Sequence, residues 1–102
     1  MGHFVYDSTD RPFEVEDRVL LHLRVVIMTK MRRNEPFMMK LDTPDRGDRW
    51  FWIHPSIPVQ MRFHGSRQPA LNMAWIDQLM KNSSNSNGFV ISPEPDLPLP
   101  AK

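Results

Sequence analysis

The stretch from Arg18 to Arg33 constrains the fold more than any other part of this chain. Good helix formers run through it, with Asp17 in front as a candidate N-cap. Its basic last turn complements the helix dipole, and Asn34 and Pro36 stop it. On a helical wheel Leu20, Leu23, Ile27 and Met31 form the centre of an apolar face, flanked by Val19, Leu21, Val26 and Met28. Arg18, His22, Thr29, Arg32 and Arg33 share the opposite face. So wide an apolar face needs cover from several elements, which predicts a helix that a sheet wraps around.

Short alternating runs supply that sheet. His3 to Tyr6 and Phe13 to Glu16 read as strands either side of turn chemistry at Asp7 to Pro12. Phe37 to Leu41, Trp50 to His54, Val59 to His64 and Phe89 to Ile91 read as four more strands. A second helix spans roughly Ala70 to Asn82, opened by Pro69 and closed by the polar run Ser83 to Gly88. The predicted class is α+β: an antiparallel sheet in the order β-β-α-β-β-β-α-β, with two helices packed on one face. The short connections between the middle strands imply a meander. At 102 residues this is one domain, assigned to residues 1–92, with 93–102 as a Pro-rich tail, extended and either disordered or lying on the surface.

Composition removes several classes of function. The net charge of +1 gives no electrostatic mandate for nucleic acid or an anionic membrane. There is no cysteine, so disulfide scaffolds and thiolate chemistry are excluded. The N-terminus lacks the features of a signal peptide, and the apolar run from Val19 to Met28 is too short to span a bilayer. The expectation is a cytoplasmic chain with no membrane partner.

The segment Trp50 to Pro69 is densest in residues that carry chemistry. Val59, Met61 and Phe63 alternate with Gln60, Arg62 and His64, so the odd positions face the core. Trp50 to His54 is apolar on both sides. If Phe51 and Ile53 point inward, then Trp52, His54, Gln60, Arg62 and His64 share the outer face. A one-residue slip would present Phe51 and Ile53 instead. The first register is preferred because it keeps His54 on the polar side. The candidate binding surface is then Trp52, His54, Arg62 and His64, extended by Ser66 and Arg67 in the turn before the second helix. Aromatic rings beside cations can stack bases and follow the backbone of single-stranded nucleic acid. The competing reading is a surface for homo-oligomer formation, or a face covered by one of the chain's ends.

No catalytic constellation is evident. Two histidines, His54 and His64, do not make a metal site without a third ligand. Ser56 and Ser66 lie near them but lack the sharp turn that exposes a nucleophile. No phosphate loop, zinc-protease or nucleophile-elbow motif is present, and no cofactor is expected. Gly65-Ser66-Arg67 could hold an anion at a helix start, or simply cap it.

Several motifs together resemble a family of small single-domain actinobacterial proteins. They are the Met1-Gly2-His3-Phe4-Val5-Tyr6 start, Asp17-Arg18-Val19-Leu20-Leu21-His22-Leu23, Lys30-Met31-Arg32-Arg33, Trp52 to Pro58, Gly65 to Pro69, Ala74 to Ile76, and Pro93-Glu94-Pro95. That family has no established function, and its members are frequently labelled ATP-dependent DNA ligase. The label implies a lysine that accepts adenylate in Lys-x-Asp-Gly. The nearest match here is Lys40-Leu41-Asp42-Thr43, with Thr in place of Gly. The nucleotidyltransferase core of a ligase is also longer than this chain. The residues therefore point to a non-catalytic binding or self-association domain, with a nucleic-acid-binding accessory as the alternative.

Overall fold

The computed structural model describes residues 2–7, 11–43, 47–65 and 70–95. Eight elements follow in the predicted order: β1 (Gly2–Tyr6), β2 (Phe13–Val15), α1 (Asp17–Arg32), β3 (Phe37–Thr43), β4 (Gly47–Ile53), β5 (Val59–Arg62), α2 (Met73–Asn82) and β6 (Phe89–Val90). The class is α+β.

The sheet is not continuous. The strands divide into β2-β1-β5 and β4-β3-β6, and β6 runs parallel to β3 while the other pairs are antiparallel. The predicted hairpin between Trp50–His54 and Val59–His64 does not form. β4 pairs with β3 and β5 pairs with β1. The cause lies in His54-Pro55-Ser56-Ile57-Pro58. Its two prolines cannot donate to a ladder. The Ile57 N–H closes a turn onto the His54 carbonyl (3.0 Å), and the Pro58 carbonyl accepts from the Asp7 N–H (2.8 Å). Those bonds send β5 alongside β1.

One core serves both sheets. α1 supplies Leu20, Leu23, Val26 and Ile27; β1 and β2 supply Phe4 and Val15. The second sheet adds Phe37, Met39, Leu41, Phe51, Ile53 and Phe89, and α2 adds Trp75 and Leu79. The sheets meet at Phe51. Its ring lies 5.4 Å from Phe4, 5.0 Å from Tyr6 and 5.0 Å from Phe13, mostly edge-to-face.

Both helix starts differ from the sequence reading. Asp17 is the first helical residue, and its carboxylate accepts from the backbone N–H of His64 (3.2 Å) and Gly65 (2.9 Å). Those two bonds hold its pKa below the ordinary carboxylate value. The backbone amides of His64 and Gly65 are thus taken by a carboxylate of the chain itself. α2 begins at Met73, three residues later than Ala70, because Asn72 caps it by accepting from the Trp75 N–H at 3.2 Å. Gly2 is buried where an added Cβ would lie 2.6–2.8 Å from Asp17, the Arg62 carbonyl and Leu20, so β1 can enter there only as glycine.

Removing the ring at the joint should be costly. Phe51→Ala is expected to lower unfolding free energy by about 3–5 kcal/mol, measured by urea denaturation. A loss below about 1 kcal/mol would show that the sheets are held together elsewhere.

Candidate functional site

The pleat turns Phe51 and Ile53 into the core and Trp50 and Trp52 outward, as the preferred register required. Trp52 lies opposite Met38, and Trp50 lies opposite Lys40, which is in turn opposite Val90 of β6. The outer face of the second sheet therefore carries Met38 (39% exposed), Trp50 (48%), Trp52 (46%) and Val90 (50%). Two indoles on one small sheet are a large apolar surface to leave in water.

Local geometry makes room for one indole and anchors the backbone of the other residue. Gly88 has φ +104°, and a Cβ there would fall 2.7 Å from the Trp50 ring, so the missing side chain leaves room for that indole. The Tyr6 hydroxyl donates to the Trp52 carbonyl and anchors the strand from behind. Burial, and then the neighbouring Asp7, raise the Tyr6 pKa, which keeps that donor protonated. Beside Trp52 opens a groove of about 570 Å³, bordered by Lys30, Glu35 and the polar loop from Ser83 to Gly88.

The charges on this face are of both signs. Lys40 pairs with Asp48 at 3.1 Å, and both side chains retain exposure. Asp42, on the same side of β3 as Lys40, is exposed as well. Lys30, on the wall of that groove, pairs with Glu35 (3.5 Å) and lies 6.0 Å from the Phe37 ring centre.

Of the described members of the sequence-predicted surface, only Trp52 lies within a strand of this sheet. Arg62 is on β5, in the other sheet, opposite His3. His64 is exposed just beyond it, its N–H given to Asp17. His54 caps its own turn: its Nδ1 lies 3.1 Å from the Ser56 N–H nitrogen and 2.8 Å from Ser56 Oγ. A serine hydroxyl on an imidazole is half of a hydrolytic pair. Here the two are neighbours on one exposed turn and Nδ1 also takes a backbone donor, which is capping geometry. Ser66 and Arg67 lie outside the described residues. The sequence reading missed Trp50, Met38 and Val90. The signal for Trp50 was its parity with Trp52, and that for Met38 was its place between inward Phe37 and Met39.

A second misreading concerns His22, predicted on the polar face of α1. It is fully buried. Its Nδ1 lies 2.7 Å from the Arg18 carbonyl, its Nε2 accepts from the Asn72 N–H at 2.8 Å, and its ring packs 4.6 Å from that of Trp75. A carbonyl can only accept and an amide N–H can only donate, so both contacts are met by an imidazole protonated at Nδ1. The same corner binds the C-terminal segment. Arg18 clamps Glu94 through Nε (2.6 Å) and Nη2 (2.5 Å), Asn72 donates to Glu94 and to the Pro95 carbonyl (2.9 Å each), and Trp75 donates to the Ser92 carbonyl (3.0 Å). Residues 92–95 are thus a strap across both helices.

A family model described as a domain of unknown function, DUF7882, matches residues 1–94. The chain belongs to that family. No curated protein and no solved structure matches it significantly. The stretch matched to DUF7882 contains every element described above and both partners of the Arg18–Glu94 pair. No described helix is long and apolar enough to cross a membrane.

The strap gives the fold a defined acid response. Hydrogen bonds from Arg18, and then from Asn72, lower the Glu94 pKa from 4.5 to about 2. A depressed carboxylate stabilises the fold fully above its ordinary value and loses that contribution as pH falls through the folded value. Wild-type urea midpoints should therefore exceed those of Glu94→Gln at neutral pH, with the gap shrinking between 4.5 and about 2. A gap that does not vary with pH over that window would show that the clamp does not operate.

Proposed function

We propose that this domain is a non-catalytic self-association module that works through the outer face of its second sheet. The observation that carries the reading is the outward pair Trp50 and Trp52, side by side with Met38. Tryptophan and methionine are enriched at the centres of protein interfaces, and tryptophan leads the residues that dominate binding energy.

A second copy fits the face better than a polyanion does. Lys40 pairs with Asp48 and shares its side of β3 with Asp42, so the described charges here are mixed and not basic. Arg62, which would help complete a nucleic-acid platform, belongs to the other sheet, and His64 follows it two residues later. A two-fold arrangement, by contrast, needs a surface that complements itself. Lys40 and Asp48 supply both signs on every copy and can exchange partners across such an axis. Their exposed pairing within one chain is worth little, so exchange costs little. A nucleic-acid accessory in the spirit of the ligase label is the second reading, and it requires a cationic track that the described residues of this face do not form.

Sedimentation velocity across a concentration series separates the two. A reversible dimer is expected, and Trp52→Glu should weaken it by roughly thirty-fold, as for an interface hot spot. A wild-type chain that stays monomeric at millimolar concentration would sink the proposal. So would salt-sensitive binding of labelled single-stranded DNA that Trp52→Glu abolishes.

A further inference from the structure

We propose that the corner between α1 and α2 is a docking site for an extended, acidic, proline-rich segment of a partner protein, and that residues 92–95 occupy it as a built-in competitor. The donors that read the segment lie on the two helices and at the cap of α2, so the inference does not rest on the dimer.

The strap's own sequence limits its conformations. Pro93 and Pro95 have fixed φ, and the residues before them, Ser92 and Glu94, are driven toward extended backbone. The segment therefore loses little freedom on binding, which is what proline-rich ligands offer to aromatic-lined grooves. The helices read it as such a groove reads a ligand. Two of the groups they bind are main-chain carbonyls: Trp75 Nε1 donates to that of Ser92 and Asn72 Nδ2 to that of Pro95. The third is the Glu94 carboxylate, gripped by Arg18 Nε and Nη2 and by Asn72. What is recognised is a carboxylate between two prolines.

These donors are set without the strap. Asn72 Oδ1 accepts from the Trp75 N–H, the Asn72 N–H donates to His22 Nε2, and the Trp75 ring packs on that of His22. The strap is held less firmly. Pro93 and Glu94 are exposed, and the Arg18–Glu94 pair is partly in water. β6, which leads into the strap, is two residues long. So short a segment can leave while the core stays folded.

It also fits imperfectly. Ser92 Oγ is buried and, among the described residues, has no hydrogen-bond partner. A hydroxyl in that state is destabilising. A cavity of about 350 Å³ lies alongside, with Val19, Trp75, Ile91 and Ser92 in its lining. Valine at that place would remove the unpaired hydroxyl and bring methyl groups to those apolar neighbours. The preferred occupant is thus an apolar residue followed by Pro-Glu-Pro, supplied by another chain and able to displace the strap.

The test is fluorescence anisotropy with labelled, end-capped peptides on the full chain. The probe Val-Ile-Ser-Pro-Glu-Pro repeats residues 90–95. On the wild type it competes with a tethered strap whose effective concentration is on the order of millimolar. Glu94→Gln, a change at an exposed position, loosens the strap, and the probe should bind that variant roughly tenfold more tightly. Valine in place of the probe's serine should tighten binding roughly tenfold again. Glutamine in place of the probe's glutamate should weaken it roughly tenfold, and Arg18→Gln in the Glu94→Gln chain should erase that difference. The valine probe should also bind the wild type at millimolar concentration, so the result does not depend on how the variants fold. No binding of the valine probe to either chain would overturn the proposal. Equal affinity of the serine probe for wild type and Glu94→Gln, or a glutamate preference that survives Arg18→Gln, would put the peptide on another surface and overturn it as well. A serine probe that binds as tightly as the valine probe would overturn the apolar preference.

Discussion

The burial of Phe51 organises the rest of the molecule. Two three-stranded sheets, neither large enough to enclose a core alone, are joined where this ring enters the cluster of Phe4, Tyr6 and Phe13. Because side chains alternate along a strand, that one inward placement sends Trp50 and Trp52 outward. The exposed tryptophan face is therefore a consequence of how the sheets are joined. Gly88 and Tyr6 then hold the two residues in place, one by giving Trp50 room and the other by gripping the Trp52 backbone.

The second organising element is polar. α1 has an apolar face toward the sheets and, on another side, a line from Arg18 to His22 that faces α2 and the strap. Burying His22 is tolerated because both ring nitrogens have partners of opposite hydrogen-bonding sense. Arg18, one turn earlier, reaches Glu94 and the Ala70 carbonyl (3.2 Å). The start of α2, the end of α1's first turn and the last described residues are thereby tied at one corner. The proline-rich segment is held there by hydrogen bonds and an ion pair rather than by packing alone.

Much of this was legible in the sequence. The element order followed from alternation, helix stops and turn residues, and Val59, Met61 and Phe63 announced their inward side by period alone. What was not legible depended on long-range partners. Nothing local in Val59 to Arg62 says that its neighbour is β1 and not β4, so the candidate surface was assembled from residues that occupy two different sheets. His22 read as solvent-facing because a helical wheel assigns polar residues to water. Its partners, Asn72 and Trp75, lie fifty or more residues further along the chain. The Asp17 carboxylate was likewise read as a local cap, although it serves amides at positions 64 and 65.

The surface that results carries two tryptophans on one sheet face, and that placement follows from the Phe51 joint. The joint can be read directly from the three tryptophans of the chain. In variants that each retain one of them, acrylamide quenching should find Trp50 and Trp52 accessible in dilute solution and Trp75 shielded. Raising the protein concentration should shield Trp50 and Trp52 and leave Trp75 as it was. A Trp52 that is shielded when dilute, or a Trp75 that quenches as readily as Trp52, would contradict the account.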